Sequence, residues 1–159
     1  MAADRIATLR PIYEQWARGE FAAGAQLLAP DLVHTGFVPE GRVTTHGVEE
    51  FGRWVREFLS QWEGYRVLAD EFMQVDDDTV LVSGRQYATG RHSGVEVEES
   101  VFNVWVFRGE QVVGFMSIPI ANGRSKPRVY RRNLASAYGP TRRKKRWSDR
   151  SRASGRRTA

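Results

Sequence analysis

The sequence predicts an α+β fold in which helices cover one face of a curved antiparallel sheet. Apolar residues recur every three or four positions in the first part of the chain, as on one face of a helix. From about residue 65 to residue 118 they alternate every second position, as along a strand. Helices followed by a run of long strands are typical of α+β proteins. The chain of 159 residues has no cysteine, which excludes a disulfide scaffold. It also has no apolar run near the ~20 residues that a membrane-spanning helix needs.

Two helices are predicted before the break at residues 29–31 (APD). The first ends near Gly19 and has five apolar residues on one face, namely Ile6, Leu9, Ile12, Tyr13 and Trp16. The second is shorter and carries Phe21, Ala25 and Leu28 on one face. It ends at Pro30, because proline cannot continue a helix.

A third helix is predicted after a short strand over residues 32–37 and a loop. Its apolar stripe is the strongest of the three and consists of Val48, Phe51, Val55, Phe58 and Trp62. Thr44 or Thr45 could cap this helix, and Glu49 and Glu50 would lie at the positive end of its dipole. We therefore expect three N-terminal helices on one face of the sheet.

Four long antiparallel strands are predicted after Gly64, where the period of the apolar residues changes to two. Short polar turns separate these strands, which are expected over residues 65–75, 79–90, 95–107 and 111–118.

The charges divide the chain into an acidic body and a basic tail. Up to Gly123 there are 10 Lys and Arg against 18 Asp and Glu, a net charge of −8. From Arg124 onward there are 14 against 1, a net charge of +13. We predict one domain over residues 1–120 and a basic, disordered tail over residues 121–159, since such a tail cannot bury enough apolar surface to fold.

Five stretches of the chain carry a family resemblance. Residues 12–21 (IYEQWARGEF), 27–33 (LLAPDLV) and 47–51 (GVEEF) resemble the SnoaL-like branch of the nuclear-transport-factor-2-like superfamily. Residues 94–98 and 104–113 look like the last two strands of that family. The resemblance implies a cone-shaped, barrel-like sheet curled around the helices, a pocket at the mouth of the cone and a homodimer. The superfamily includes ketosteroid isomerases, polyketide cyclases and many ligand-binding proteins, so the fold does not settle the function.

The resemblance, combined with the alternation along the strands, assigns the inward-facing residues. It places Asn103 where ketosteroid isomerases keep the acid of their oxyanion hole. It places His34 and Gly36 inward on the first strand, with Gly36 where the isomerases carry their general-base aspartate. Ketosteroid isomerase activity is not expected, because glycine offers no carboxylate to move the proton.

His34 and Asn103 are the candidate catalytic residues. The unperturbed pKa of a histidine, about 6.5, allows His34 to exchange protons near neutral pH. Asn103 could donate a hydrogen bond to a substrate oxygen, and Glu99 or Arg85 could orient His34 or bind a polar end of a ligand in the pocket. Purely structural roles remain open for all four. The other residues expected to line a pocket for a flat or apolar molecule are Tyr13, Trp16, Trp54, Phe58, Val101, Trp105, Phe115 and Ser117.

These residues predict a protein that binds a small, largely apolar molecule and could catalyse a proton transfer of isomerase, cyclase or hydratase type. A noncatalytic ligand-binding or dimerisation module is the alternative. No metal or other cofactor is predicted, because the three histidines are far apart in sequence and match no zinc-binding spacing. We expect a cytoplasmic homodimer that does not associate with membranes.

Three hypotheses account for the basic tail. Residues 141–157 could bind nucleic acid through adjacent cations and one tryptophan. They could also form a disordered extension without a specific partner. In the third hypothesis the tail is translated out of frame, since residues 141–148 can be encoded so that another frame reads as an acidic helix of the kind seen in the family.

Overall fold

A computed structural model of the protein describes residues 4–38 and 40–120, which form two α-helices and one curved, unclosed sheet of six strands. The elements are β1 (Leu28–Val38), β2 (Gly41–His46), β3 (Trp62–Gln74), β4 (Thr79–Gly90), β5 (Glu96–Arg108), β6 (Gln111–Ile120), α1 (Arg5–Trp16) and α2 (Val48–Ser60). The α+β class is confirmed. The predicted boundary after residue 120 and the predicted tail, with its basic run 141–157, lie outside the described residues.

The sheet is mixed, whereas the sequence predicted an antiparallel one. The strand order is β2-β1-β6-β5-β4-β3, and β1 runs parallel to β6 while all other neighbours are antiparallel. The predicted succession of antiparallel strands from β3 to β6 is confirmed. The pairing of β1 with β6 joins distant parts of the chain without a connecting turn, so no local pattern in the sequence indicates it.

The described part of the chain contains two α-helices, so the prediction of three is wrong. The segment expected to form the second helix makes only a short 3₁₀ turn, Ala25–Leu27, and Leu28 already begins β1. Gly24 adopts a left-handed conformation with φ of 87°, which interrupts any helix. The indole Nε1 of Trp16 donates to the carbonyl of Ala23 at 3.3 Å and holds this segment against α1.

Strand β2 occupies the place where a loop and a helix cap were predicted. Thr44 and Thr45 pair with residues of β1 and do not cap α2, which follows Gly47 and has no side-chain cap. The two glutamates predicted in the first turn of α2 are confirmed there. Glu50 reaches back, and its Oε2 accepts a hydrogen bond from the backbone N–H of His46 at 3.0 Å.

The core lies between α1 and one face of the sheet, which we call the concave face. Leu9, Ile12 and Tyr13 of α1 are buried, and they belong to one apolar cluster with residues that alternate along the strands. Those strand residues are Val67, Val80, Val82, Val101, Trp105 and Phe115. The predicted packing of the first helix on the inward face is thereby confirmed.

Arg5 ties the start of α1 to two turns of the sheet. Its guanidinium donates hydrogen bonds to the carbonyl of Gly109 and, at 3.3 Å, to Oδ1 of Asp78. It also lies 4.6 Å from the centre of the Phe107 ring. Arg5 is only 8% exposed, so these contacts fix one end of the concave face.

Among residues 4–38 and 40–120 there is no helix of the length and apolar character needed to cross a membrane.

Candidate functional site

His34 lies on β1 beneath the aromatic side chains of α2. Its exposed fraction is 0%, and its ring centre lies 4.7 Å from that of Phe51 and 4.6 Å from that of Trp54. Nδ1 is 3.3 Å from the hydroxyl oxygen of Thr45 on β2. Nε2 is buried and has no hydrogen-bond partner. A buried polar atom without a partner costs free energy, so this nitrogen is a candidate contact for a ligand.

Burial lowers the pKa of His34 to about 4, because the charged imidazolium loses its hydration. The imidazole is therefore neutral at pH 7. It can accept or donate one hydrogen bond through Nε2, depending on which nitrogen carries the hydrogen. Thr45, which the sequence did not indicate as a site residue, takes the orienting role that was predicted for Glu99 or Arg85.

Tyr13, Asn103 and Trp105 form a second buried polar group. The hydroxyl of Tyr13 accepts hydrogen bonds from Nδ2 of Asn103 and from Nε1 of Trp105, both at 2.8 Å. Burial raises the pKa of Tyr13 above its ordinary range, so its phenol stays protonated. Oδ1 of Asn103 is buried and has no partner, like Nε2 of His34.

The register of the sheet connects the two buried groups. Gly36, Ser117 and Asn103 are directly paired neighbours on β1, β6 and β5, and therefore lie in one row on the concave face. A Cβ at Gly36 would lie 3.2 Å from Cε1 of His34, which shows that the imidazole leans over Gly36 toward this row. Ser117 is only partly buried and stands between the two more deeply buried groups. We call Ser117 and Asn103, together with the imidazole of His34 that leans toward them from the next row, the polar row.

Most of the predicted pocket residues surround the polar row. The rings of Trp105 and Phe115 lie 4.6 Å apart, those of Trp16 and Trp105 lie 5.6 Å apart, and Val101 is buried on the same face. On α2, Trp54 and Phe58 are stacked at 5.3 Å. The structure thus brings together ten of the twelve predicted site residues, which are Tyr13, Trp16, His34, Trp54, Phe58, Val101, Asn103, Trp105, Phe115 and Ser117.

Arg85 does not belong to this group, and its prediction as a pocket residue is wrong. It is paired with Ser100 on the outer face of the sheet, where its side chain is exposed and binds Asp70 at 3.1 and 3.3 Å. Strand alternation explains the error, because the neighbouring residue Gln86 is the one on the concave face.

Glu99 lies on the concave face but has other partners than His34. Its Oε2 accepts a hydrogen bond from Nε2 of Gln86 at 2.7 Å. Oε1 of Gln86 accepts in turn from the hydroxyl of Tyr65 at 2.8 Å. Glu99 is therefore the end of a separate hydrogen-bonded chain across β5, β4 and β3.

A groove that the sequence did not indicate lies at the C-terminal end of α1. It encloses about 790 Å³ and is bordered by residues 17–19, the start of β3, the end of β4 and the start of β5. None of the predicted site residues lines it. Two glycines with positive φ line the groove, Gly19 after α1 and Gly64 at an irregularity near the start of β3. Within the described ranges no group of three or more metal-ligating side chains lies together.

A family profile for the SnoaL-like domain matches residues 9–115 of the chain. No curated protein matches it. Among solved structures, an NTF2-like protein of unknown function from Burkholderia pseudomallei is 24% identical with a TM-score of 0.64, over 74% of this chain and 92% of the other.

Two further solved structures have the same fold at lower identity. A protein described as a SnoaL-like polyketide cyclase from Jannaschia is 12% identical with a TM-score of 0.61, over 85% of this chain and 91% of the other. A hypothetical protein with a ketosteroid isomerase-like fold from Catenulispora acidiphila, in complex with trimethylamine, is 13% identical with a TM-score of 0.57, over 74% of this chain and 86% of the other. At these identities the similarity shows the fold.

Proposed function

Because the chain belongs to the SnoaL-like domain family, we propose that it binds a small, largely apolar molecule on its concave face. One observation carries the proposal: two polar atoms, Nε2 of His34 and Oδ1 of Asn103, are buried without partners inside an aromatic interior. A ligand that offers hydrogen bonds to these atoms removes a cost that the free protein bears. The aromatic surroundings favour a flat, uncharged molecule.

A neutral fluorescent aromatic amine, N-phenyl-1-naphthylamine, tests the proposal by titration into the full chain. We expect saturable binding that His34→Phe and Asn103→Leu each weaken, since both variants keep the bulk but remove the polar atom. Met73→Ser is the matched control, because Met73 is exposed on the outer face of β3. If Met73→Ser abolished binding of the amine and the two interior variants left it unchanged, the proposal would be contradicted.

Proton transfer at His34 is the second candidate function. The neutral imidazole keeps one nitrogen near Thr45 and the other free, which is the arrangement a general base needs. A catalytic role requires that His34→Ala abolish turnover of a bound substrate while the melting temperature stays within a few degrees. A protein that binds ligands with and without His34 and turns over none of them is the noncatalytic module.

The chain is also proposed to form a homodimer. Sedimentation at micromolar concentration should then show a species of twice the 18.1 kDa chain mass. A single 18 kDa species would contradict the dimer and leave the binding proposal untouched.

A further inference from the structure

The indole of Trp54 lies against the imidazole of His34 and against Gly36, which forms the floor of the proposed site. Its ring centre is 4.6 Å from that of His34. A Cβ at Gly36 would lie 3.2 and 3.3 Å from two carbons of the indole, so the ring rests directly on the glycine backbone. The space in which a ligand ring would contact His34 is thus filled by a ring of the protein itself.

The helix that carries Trp54 is loosely held. None of the residues of α2 is buried, whereas α1 buries four. The C-terminal end of α2 is tied by Arg91, whose side chain donates to the carbonyls of Ser60 and Trp62 at 3.0 and 3.1 Å. A partly exposed side chain on such a helix can turn outward without opening the core beneath α1.

We propose that Trp54 is a plug that occupies the ligand position, and that a ligand reaches His34 only when this indole swings away. This inference rests on the proposed binding function. Gly36 is the positioning residue of the plug, because the lack of a side chain lets the indole lie against the backbone, and a Cβ there would force the ring to shift by a few tenths of an ångström. The size of the ligand ring is then set by the volume that Trp54 leaves.

Trp54→Ala tests the plug, with Leu59→Ala as the matched control. Leu59 is a partly buried apolar residue of the same helix and is not one of the predicted site residues. We expect Trp54→Ala to tighten binding of N-phenyl-1-naphthylamine about tenfold, as for a protein whose open form is about a tenth of the population. We expect it also to move the pKa of His34, followed by NMR, from about 4 toward the ordinary value of about 6.5, because water reaches Nε2. Leu59→Ala should change neither quantity by a comparable amount.

Gly36→Ala provides a second variant that retains every aromatic ring. Its φ is not in the left-handed region, so alanine is tolerated by the backbone and acts only through its methyl group. It should shift the indole by a few tenths of an ångström and change both quantities in the same direction as Trp54→Ala, by a smaller amount. An unchanged pKa of His34 in both variants would overturn the plug, whether or not the affinity for N-phenyl-1-naphthylamine changes. A raised pKa with no binding by any protein would instead overturn the proposed function, and with it the role of the plug in ligand entry.

Discussion

The two helices lie against the same sheet, yet they are held in different ways. The stripe of α2 is the stronger in the sequence, but no residue of α2 is buried. The stripe of α1 is weaker, but Leu9, Ile12 and Tyr13 are almost wholly buried, and the Tyr13 hydroxyl accepts two hydrogen bonds from β5. The strength of an apolar pattern therefore predicts that a helix will lie on a sheet, while the depth of its burial depends on partners from distant strands.

The largest difference should appear when matched leucines are truncated in the two helices. Leu9 of α1 is 0% exposed, so Leu9→Ala leaves a cavity and should lower the free energy of unfolding by about 3 kcal/mol or more. Leu59 of α2 is only partly buried, and Leu59→Ala should cost about 1 kcal/mol. Chemical denaturation of both variants measures the difference. Equal losses would contradict the contrast between the helices.

Acid should weaken the region beneath α2 through His34. The unfolded chain takes up a proton near pH 6.5, whereas folded His34 takes it up only near pH 4. The stabilisation is therefore complete above about pH 6.5 and is lost as the pH falls toward 4, by about 3 kcal/mol in all. Denaturation of the wild type and of His34→Gln at pH 7 and pH 4 measures this component. If His34→Gln had the same pH dependence of unfolding free energy as the wild type, His34 would not be the source of that dependence.

Removing the hydroxyl of Tyr13 should have a somewhat smaller effect. Tyr13→Phe leaves the N–H groups of Asn103 and Trp105 buried without an acceptor, at a cost of about 2 kcal/mol. Tyr87→Phe is the control, because the Tyr87 hydroxyl accepts from Arg85 at an exposed position and should matter little. If both variants were equally stable, the buried hydrogen bonds would not anchor α1.

The smallest effect is expected at the start of α1. Oδ1 of Asp4 accepts a hydrogen bond from the backbone N–H of Ala7 at 3.0 Å, so Asp4→Ala should cost about 1 kcal/mol. Asp4→Asn keeps an acceptor and should recover most of that loss. Thermal unfolding of the two variants would show whether the cap adds to the stability that the buried anchors of α1 provide. Equal melting temperatures for Asp4→Ala and Asp4→Asn would argue that it does not.

The sequence predicted the parts of the fold that depend on local periodicity. The change of period located the strands β3 to β6. Alternation along β5 and β6, with the family resemblance choosing the inward face, put Asn103, Trp105 and Phe115 on the concave face. Alternation failed for Arg85 because no resemblance identified which face of β4 points inward.

Features that depend on distant pairing were not predictable in this way. Strand β2 was missed because its threonines also suit a helix cap, and only pairing with β1 decides between the two. The same pairing brings Thr45 to His34. The group of Tyr13, Asn103 and Trp105 likewise depends on distant pairing, because Asn103 and Trp105 follow Tyr13 by 90 and 92 positions in the sequence.

The anchors of α1 also determine the order in which the domain can be completed during synthesis. Arg5 binds the carbonyl of Gly109, which is 104 residues further along the chain. At a translation rate of about 5–20 residues per second, α1 waits about 5 to 20 s after its own synthesis before that partner exists. The neighbours of α2 in β1, β2 and β3 are all made before residue 75. A nascent chain stalled before residue 103 therefore carries an N-terminal helix that can pack on β3 but still lacks its hydrogen-bond partners on β5 and at Gly109.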